Sequence, residues 1–394
     1  MLTVDQAKQQ LYQQSHCLAK TVHIDIAGAC GSVLAEDVYA AMSVPPFDNS
    51  AMDGFALRIN DIKANNRLPI SQRLLAGMAA QELQPGSAAR LFTGSMVPPG
   101  ADTVVAQENC DYDRYTVLLS GDNRAGQNIR RAGEDIAKGS LLASSGLRLK
   151  PAHIGLLASC GVDNVRVYQP LKIGLLATGS ELQMPGQPLP PGKIYNSNLP
   201  MLAALLERWG YQLQCRHVSD DAGQLQSVFE ALAGSNDVLV SIGGVSVGDA
   251  DLVRGVIEQN GHLDLWKIAM KPGKPLAVGR IFQRPVIGLP GNPVSAFVSL
   301  QLFAREMLAR MQGEKPVQQE PCYYPLMLDA AITPKREEFL RVKLESVGGQ
   351  PRLFPFPHQG SGVLSSVVYA SGLARLSMNR ETAPGDFVQY TAFA

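Results

Sequence analysis

Residues 237–251 read D-V-L-V-S-I-G-G-V-S-V-G-D-A-D, and this stretch decides the predicted fold. The apolar run Val238–Ile242 predicts a strand, Gly243-Gly244 predicts a turn, and the apolar spacing after residue 251 predicts a helix. Parallel α/β sheets bind ligands at such junctions, because the turn and the helix N-terminus expose backbone N–H groups there. The loop also carries Asp249 and Asp251. Since carboxylates repel a phosphate, the combination predicts a phosphorylated ligand held through Mg²⁺.

Two further predicted strands enter loops in the same way. Leu171–Ala177 runs into Thr178-Gly-Ser-Glu-Leu182, and Val286–Leu289 runs into Pro290-Gly-Asn-Pro293. Helical spacing predicts four helices between or after the strands: Asn198–Trp209, Gln224–Leu232, Leu252–Gln259 and Val294–Met311. This alternation predicts a parallel sheet covered on both faces, with all three loops at one edge. Asn292 is a good cap and Pro293 a good first residue, so we expect the last helix to direct free N–H groups outward.

The flanking sequence predicts one more helix and two β regions. A capping box formed by Thr3 and Gln6 predicts a first helix, Thr3–Gln14. Short apolar runs separated by turns predict an inserted β domain from about residue 55 to 143, and alternating residues predict a second β domain over about 315–394. Residues 43–57 contain two prolines and the turn dipeptide Asp53-Gly54, so we expect this segment not to form a central strand.

Composition and charge exclude several classes of protein. Basic and acidic residues number 35 each among 394, so no overall basic field favours nucleic acid, and the length indicates about two to three domains. The N-terminus lacks the pattern of a signal peptide, and no apolar run approaches the ~20 residues of a membrane span. We therefore expect a cytoplasmic protein. The six cysteines form no C-x-x-C pair, which argues against a disulfide framework or a structural zinc site.

Clustered charges indicate an oxyanion site. Lys267, Lys271 and Lys274 lie in a short segment whose backbone is restricted by two prolines and a glycine, which favours phosphate binding over an ordinary basic loop. Acidic residues follow the strands at Glu181 and at Asp220-Asp221, in addition to the two in the glycine loop. Each alone is typical of a helix cap or turn, and Ser219-Asp220-Asp221 also fits a simple cap of the helix that follows. Together at one sheet edge they predict a Mg²⁺-bridged phosphate site.

Other enzyme classes fit less well. The Walker pattern and the G-x-G-x-x-G pattern are both missing from the sequence, which argues against an ordinary NTPase or dehydrogenase. Gly244-Val-Ser246-Val-Gly248 matches the nucleophile elbow of hydrolases, with His262 or His358 as the histidine partner. The neighbouring carboxylates and lysines have no role in acyl transfer, so we regard a hydrolase as the weaker alternative.

Six motifs in order closely resemble the molybdopterin molybdenumtransferase family, which comprises the MoeA-type proteins and the gephyrin E domain. The motifs are Phe47-Asp-Asn-Ser-Ala-Met-Asp-Gly54, Thr178-Gly-Ser-Glu-Leu182, Gly243-Gly-Val-Ser-Val-Gly-Asp-Ala-Asp251, Lys271-Pro-Gly-Lys-Pro275, Gly288-Leu-Pro-Gly-Asn-Pro-Val-Ser295 and His358-Gln-Gly-Ser361. The resemblance runs from about Thr3 to the C-terminus. It implies Mg²⁺-dependent insertion of molybdate into adenylylated molybdopterin with release of AMP, which yields the molybdenum cofactor.

The resemblance also implies a domain arrangement. It predicts an α/β molybdopterin-binding domain (1–20 and 170–312), a small bridging domain (21–40 and 140–169), an inserted β domain (41–139) and a C-terminal β-barrel domain (313–394). Members are elongated homodimers whose cleft lies between the α/β domain of one subunit and the inserted domain of the other. Transient contact with the molybdopterin adenylyltransferase and other proteins of cofactor synthesis is also expected.

The motifs carry over a set of functional residues. Seven catalytic residues are implied: Asp53, Thr93, Glu181, Asp220, Lys267, Lys271 and Lys274. Ten residues are implied to bind the substrates: Gly243, Gly244, Ser246, Gly248, Pro290, Asn292, Pro293, Ser361, Arg130 and Asp135. Glu181, Asp249 and Asp251 are the implied metal ligands. Asp220 and Asp221 both fit the position of one motif residue, and Asp249 stands where relatives usually carry Glu.

Two alternatives stay open within this resemblance. A scaffold of the gephyrin type could keep the fold but would not need the acidic and lysine residues, which this chain retains. A molybdopterin adenylyltransferase would resemble the α/β domain alone, without the two β domains. The enzymatic interpretation therefore accounts for more of the sequence.

Overall fold

The computed structural model describes residues 2–62, 66–244, 252–273, 275–316 and 320–393, with residues 265–267 and 275 described by their backbone only. It contains three six-stranded sheets among these residues, and the first is the central sheet. The strand order across this central sheet is Gln212–Val218, Lys172–Thr178, Val238–Ile242, Arg284–Leu289, Pro275–Ile281 and Gly261–Lys267. The first four strands are parallel. Their loops therefore lie at one edge, as predicted.

The central sheet is not entirely parallel, which corrects the sequence-based expectation. Pro275–Ile281 runs antiparallel to both of its neighbours. The cause is a two-residue hairpin at Phe282 and Gln283, where both residues have positive φ, 46° and 67°. A turn of this kind reverses the chain directly from one strand to the next.

Helices cover both faces of the central sheet, because its strands point alternate apolar side chains to opposite sides. All five residues of Val238–Ile242 are buried. Val240 packs in one core and Leu239 in the other. The first core is covered by Val4–Gln14, Asn198–Arg208 and a long helix made of Pro293–Ser299, the π-helical Leu300–Ala304 and Arg305–Met311. The second is covered by Ala222–Ser235 and Leu252–Asn260.

The predicted helices begin and end within three residues of the observed ones. The capping box is present, since the Thr3 hydroxyl accepts from the Gln6 N–H and the Gln6 side chain accepts from the Thr3 N–H. No described helix is long and apolar enough to cross a membrane. All six cysteines are free thiols.

The inserted region forms a second six-stranded sheet. Its order is Thr103–Ala106, Gly54–Leu57, Ala88–Leu91, Arg67–Leu74, Thr116–Leu119 and Cys110–Tyr112. The expectation that residues 43–57 avoid a central strand is wrong for their last part, because Gly54–Leu57 is buried and paired on both sides. The prolines lie before the strand. Gly54 is required at its start, since a Cβ there would collide with the Val105 carbonyl oxygen. The described helices here are Ile59–Ile62 and the 3₁₀ turn Gln107–Asn109.

Small sheets form between the segments of the central sheet and those of the inserted region. Thr21–Asp25, Asn164–Tyr168 and Val33–Leu34 form one of them, with the 3₁₀ turn Ile26–Gly28 and the helix Pro151–Ser159 packed nearby. Two pairs of short strands follow: Val38–Tyr39 with Leu141–Ala143, and Asn49–Ser50 with Ile129–Arg130. These pairings join distant segments of sequence, while the exact boundaries of the four domains stay predictions.

The C-terminal region forms a third six-stranded sheet, as its alternating pattern predicted. Its main order is Met270–Lys271, Glu337–Val347, Gly372–Leu376, Phe387–Ala392 and Cys322–Pro325, with Gln350–Pro355 paired to Glu337–Val347 and the helix Ser365–Tyr369 alongside. Its first strand, Met270–Lys271, lies in sequence between Gly261–Lys267 and Pro275–Ile281, two strands of the central sheet. The C-terminal sheet is therefore joined to the central sheet directly at Lys271.

Candidate active site

The ends of the parallel strands enclose a cavity of about 300 Å³, the glycine-loop cavity. It is lined by Thr178, Gly179, Glu181, Leu182, Ile194, Tyr195, Asn196, Ser197, Asn198, Asp220, Ile242, Gly243, Gly244, Gly291, Pro293 and Ala177. Gly243 and Gly244 both have positive φ, 84° and 67°, and the Gly243 N–H donates to the Leu289 carbonyl at 3.0 Å. Glycine permits this conformation without strain. The predicted glycine turn is therefore one wall of a cavity.

The structure separates the roles of Asp220 and Asp221. Asp221 caps Ala222–Ser235, because its Oδ1 accepts from the Gln224 N–H at 2.8 Å. Asp220 lines the glycine-loop cavity, and its Oδ2 accepts from the Ser180 N–H at 2.8 Å. The Asp221 carboxylate is therefore engaged in a hydrogen bond to the backbone of its own helix. Asp220 is the member of the pair that faces the cavity.

Glu181 extends over the loop that precedes it. An added Cβ at Gly179 would lie 2.5 Å from Glu181 Oε2, so the carboxylate occupies space that only glycine leaves open. Glu181 lines the glycine-loop cavity and also a second, larger cavity. It therefore stands where the two cavities meet.

The second cavity, the lysine cavity, has a volume of about 750 Å³. Its lining is Glu181, Ile194, Gly244, Met270, Lys271, Pro272, Gly273, Pro290, Gly291, Asn292, Pro293, Ser295, Arg336, Gln359, Gly360 and Ser361. Five of these residues also line the glycine-loop cavity. The two cavities thus form one cleft, with carboxylates at the central sheet and cations at the C-terminal sheet.

The cleft wall at Asn292 differs from its prediction. Asn292 occupies the N-cap position, but its side chain makes no capping hydrogen bond. The Val294 N–H, expected to point freely outward, donates to the Ser361 carbonyl at 3.0 Å. The helix start therefore holds the Gly360-Ser361 loop against the cleft.

Asp53 and Thr93 form a pair in the inserted region. Asp53 Oδ1 accepts from the Thr93 N–H and from its hydroxyl, each at 2.8 Å. These hydrogen bonds hold the pKa of Asp53 below its ordinary value, the backbone one having the larger effect. Within the described part of the chain, neither residue lines either cavity. The described residues of the chain therefore do not bring this pair into either cavity.

The loop containing Arg130 and Asp135 is held by neighbouring residues. Arg130 is exposed and pairs by its backbone with Asn49, while the exposed Asp135 donates its N–H to the Val44 carbonyl. The ion pair in this loop is formed by Arg131 and Asp48, 2.6 Å apart. Burial would raise the pKa of Asp48, but hydrogen bonds from Ala132 and Arg131 leave it lowered. Arg130 and Asp135 line neither cavity among the residues described.

Three family models match the chain in succession. They are the MoeA N-terminal region (domain I and II) over residues 2–161, a probable molybdopterin binding domain over 174–310, and the MoeA C-terminal region (domain IV) over 324–393. A molybdopterin molybdenumtransferase from Haemophilus influenzae is 38% identical over 82% of this chain and 80% of its own length. The chain belongs to the molybdopterin molybdenumtransferase family.

Other comparisons agree with this family assignment. Molybdopterin molybdenumtransferase 2 of Mycobacterium tuberculosis is 35% identical over 87% of this chain and 88% of its own length. The crystal structure of a molybdopterin biosynthesis MoeA protein from Pyrococcus horikoshii, 30% identical, covers 100% of this chain and 99% of its own with a TM-score of 0.84. The expected family and multidomain α/β-plus-β fold are thereby confirmed.

Several residues implied by the family resemblance cannot be placed. Ser246, Gly248, Asp249, Asp251 and Lys274 lie outside the described residues. Lys267 ends the edge strand Gly261–Lys267, and only its backbone is described. Apart from Lys267, the described members of the family set fall into two groups. One lines the cleft, and the other lies on the inserted region.

The cleft of this family member also contains residues that the sequence analysis missed. Arg336 and Gln359 line the lysine cavity beside Lys271 and Ser361. Asn196 and Asn198 line the glycine-loop cavity, and each keeps one buried amide atom unpaired, Nδ2 of Asn196 and Oδ1 of Asn198. Arg336 belongs to the segment Lys335-Arg-Glu-Glu338, whose two basic and two acidic residues resemble an ordinary charged surface segment. Asn196 accepts from the Leu199 N–H at the start of the helix Asn198–Arg208, a position typical of an ordinary capping residue, so no separate signal in the sequence pointed to the asparagines.

Proposed function

We propose that this protein inserts molybdate into adenylylated molybdopterin and releases AMP, the final step of molybdenum cofactor synthesis. The observation that carries the proposal is the continuous cleft, which joins the carboxylates Glu181 and Asp220 to the cationic wall at Lys271 and Arg336. A pterin phosphate, an adenylyl phosphate and molybdate are all oxyanions. The substrate carries two phosphates and must react with molybdate, which is also an anion. A cleft with a basic end for oxyanions and an acidic end for a cation suits such a reaction.

In the proposed reaction a water oxygen adds to the pterin phosphorus, the P–O bond that joins this phosphorus to AMP breaks, and negative charge develops on the departing AMP. Lys271 and Arg336 are placed to stabilise that charge by electrostatic attraction. The Ser361 hydroxyl, on the same wall, is a donor for a molybdate oxygen. None of these roles requires a covalent intermediate with the protein.

Mg²⁺ fits the acidic end of the cleft. Glu181 and Asp220 supply carboxylate oxygens on one cavity, and Mg²⁺ is usually held by one or two carboxylates together with water and substrate phosphates. When bound, Mg²⁺ would neutralise phosphate charge beside these carboxylates.

The pair Asp53 and Thr93 is proposed to enter the cleft from the partner subunit of a homodimer. The support is that both are implied by the family resemblance, yet neither lines the cleft of its own chain among the described residues. Mixing Asp53→Ala subunits with Lys271→Ala subunits should restore part of the activity, because the heterodimer would contain one intact site. No recovery after verified subunit exchange would refute the shared cleft. Transient contact with the adenylyltransferase that supplies the substrate is part of the same proposal.

The test of the reaction is AMP release from adenylylated molybdopterin with added molybdate and Mg²⁺. Lys271→Ala and Ser361→Ala should abolish or strongly reduce release. Lys343→Ala is the matched control, because Lys343 pairs with Glu345 at 2.7 Å and does not line the lysine cavity. Full activity of Lys271→Ala, or an equal loss in Lys343→Ala, would contradict the proposed site.

A further inference from the structure

Lys271 is held by a carboxylate behind the cleft wall. Its Nζ lies 2.7 Å from Glu338 Oε1, and the two residues are register partners on adjacent parallel strands. The Lys271 side chain is 48% exposed, whereas that of Glu338 is 12% exposed. Lys271 lines the lysine cavity and Glu338 does not. The Glu338 carboxylate therefore contacts the Lys271 ammonium from the buried side, away from the cavity.

A second cation, Arg341, lies within electrostatic range of Glu338. Arg341 is only 1% exposed, and burial lowers its pKa while the charge of Glu338 acts to raise it. Its guanidinium donates to the carbonyl oxygens of Phe339 and Gly360 and to the Ser366 hydroxyl, at 3.0, 3.4 and 3.2 Å. Gly360 precedes Ser361 on the cleft wall. Glu338 thus interacts both with the lysine that faces the cleft and with the arginine that holds the serine loop.

We propose that Glu338 is a positioning residue that fixes the Lys271 ammonium and reduces the positive charge offered to the oxyanion. This inference rests on the proposed function, because it assigns the ligand of Lys271 as a tetrahedral dianion, either molybdate or the phosphate of AMP. A buried carboxylate in direct contact restricts the rotamers of the lysine. It also lowers the electrostatic potential at the wall.

The two effects of Glu338 have opposite signs. Removing its charge should tighten binding of a dianion by ~10-fold or more, because the repulsion between a unit charge and a dianion about 6 Å apart reaches that factor even at the dielectric constant of water. Losing the fixed ammonium should slow turnover, by about ten-fold or more when a group is misplaced by ~1 Å. Glu338→Gln should therefore lower both the dissociation constant of the oxyanion and kcat. A residue needed only for folding would not tighten binding.

The experiment combines binding with kinetics on the full-length protein. Calorimetry with molybdate alone and with AMP alone, in wild type and Glu338→Gln, identifies which dianion Lys271 holds. Tightening for either dianion, together with a lower kcat for AMP release, supports the inference. In a Lys271→Gln background the same change at Glu338 should still tighten binding, because the repulsion between the carboxylate and the oxyanion is removed, but it should no longer lower kcat, because no ammonium is left to fix. Additive effects on kcat in that double-mutant cycle would overturn the inference.

Glu337→Gln is the matched control, because the adjacent carboxylate contacts Arg375 and does not line the lysine cavity. It should reduce thermal stability while leaving oxyanion affinity unchanged. If Glu338→Gln does not fold, Glu338→Asp can be used instead, because it keeps the negative charge but moves it away from the Lys271 ammonium by one methylene group. Its expected result is wild-type affinity with a reduced kcat.

The remaining outcomes separate the two hypotheses. Wild-type protein that binds neither molybdate nor AMP would overturn the proposed function and, with it, this inference. Wild-type protein that binds an oxyanion, with Glu338→Gln unchanged in affinity and kcat, would overturn the role of Glu338 alone. Parallel losses of stability, affinity and turnover in Glu337→Gln and Glu338→Gln would also overturn it.

Discussion

The neighbours Asp220 and Asp221 allow a direct test, because the structure gives one a place in the cleft and the other a cap. Asp221→Ala removes the acceptor for the Gln224 N–H, which costs about 1 kcal/mol. It also removes a favourable charge at the N-terminus of Ala222–Ser235, worth about 0.3–1 kcal/mol. We expect a total loss of about 1–2 kcal/mol in the free energy of unfolding, with turnover retained.

Asp220→Asn should have the opposite profile. The amide oxygen can still accept from the Ser180 N–H, and the residue is exposed, so stability should change by less than about 0.5 kcal/mol. The lost charge removes one of the two described carboxylates of the glycine-loop cavity. Replacing a residue that only hydrogen-bonds to a metal ligand typically lowers metal affinity or activity by about 10- to 100-fold. We therefore expect the rate of AMP release to fall by at least about 10-fold.

Thermal unfolding and Mg²⁺ titration of AMP release measure both quantities on the same two variants. The expected pattern is a lower Tm with normal Mg²⁺ dependence for Asp221→Ala. For Asp220→Asn we expect a normal Tm with a raised Mg²⁺ requirement or a lower kcat. Loss of activity in Asp221→Ala at unchanged Tm, together with an active Asp220→Asn, would refute the separation of roles.

Three further predictions concern other contacts of the chain. Gly179→Ala should displace the Glu181 carboxylate and reduce AMP release, whereas Gly186→Ala, which also has positive φ but no atom within 4 Å of the added Cβ, should show only a small loss of Tm. Thr93→Val removes one of two donors that lower the pKa of Asp53, so that pKa should rise, and carboxyl NMR would detect it with Asp113 as an unaffected reference. The Asp5 pKa is lowered chiefly by the hydrogen bond from Arg375, so the stability it contributes is present above its ordinary pKa and lost as pH falls through the folded value. Because the Asp5 side chain is 68% exposed, this contribution should be under about 1 kcal/mol, and urea unfolding of Arg375→Gln should depend less on pH below about 4 than wild type.

Features set by local sequence could be predicted well. The capping box at Thr3 needs residues only three positions apart, and the strand Val238–Ile242 needs one apolar run followed by glycines. The meeting of the three loops at one edge follows from parallel pairing. Each of these requires a short segment or a simple topological rule.

Features set by distant pairing could not be predicted in the same way. The hairpin at Phe282-Gln283 has positive φ at both residues without the Asn or Gly that usually indicates such a turn. Gly54–Leu57 becomes a central strand because Val105 and Arg90 lie on either side of Phe55, although turn residues precede it. In both cases tertiary pairing outweighs the local preference.

The same limit explains the missed residues of the cleft. Lys271 was identified by its proline- and glycine-rich segment, but its partner Glu338 lies far along the chain and meets it only through strand pairing. Arg336 reaches the lysine cavity for the same reason. A sequence pattern identifies a charged segment, whereas strand register decides which charges face one another.

The junction between the central and C-terminal sheets links stability to the geometry of the cleft. Successive residues of a strand point to opposite sides. Glu337 contacts Arg375, which also bonds Asp5 of the first helix, while Glu338 contacts Lys271 on the cleft wall. Any shift of this strand relative to the central sheet would therefore move the cationic wall away from Glu181 and Asp220. The glycine turn lies on the central sheet and Lys271 lies on the C-terminal sheet, so the pairing at Lys271 sets the distance between the two ends of the cleft.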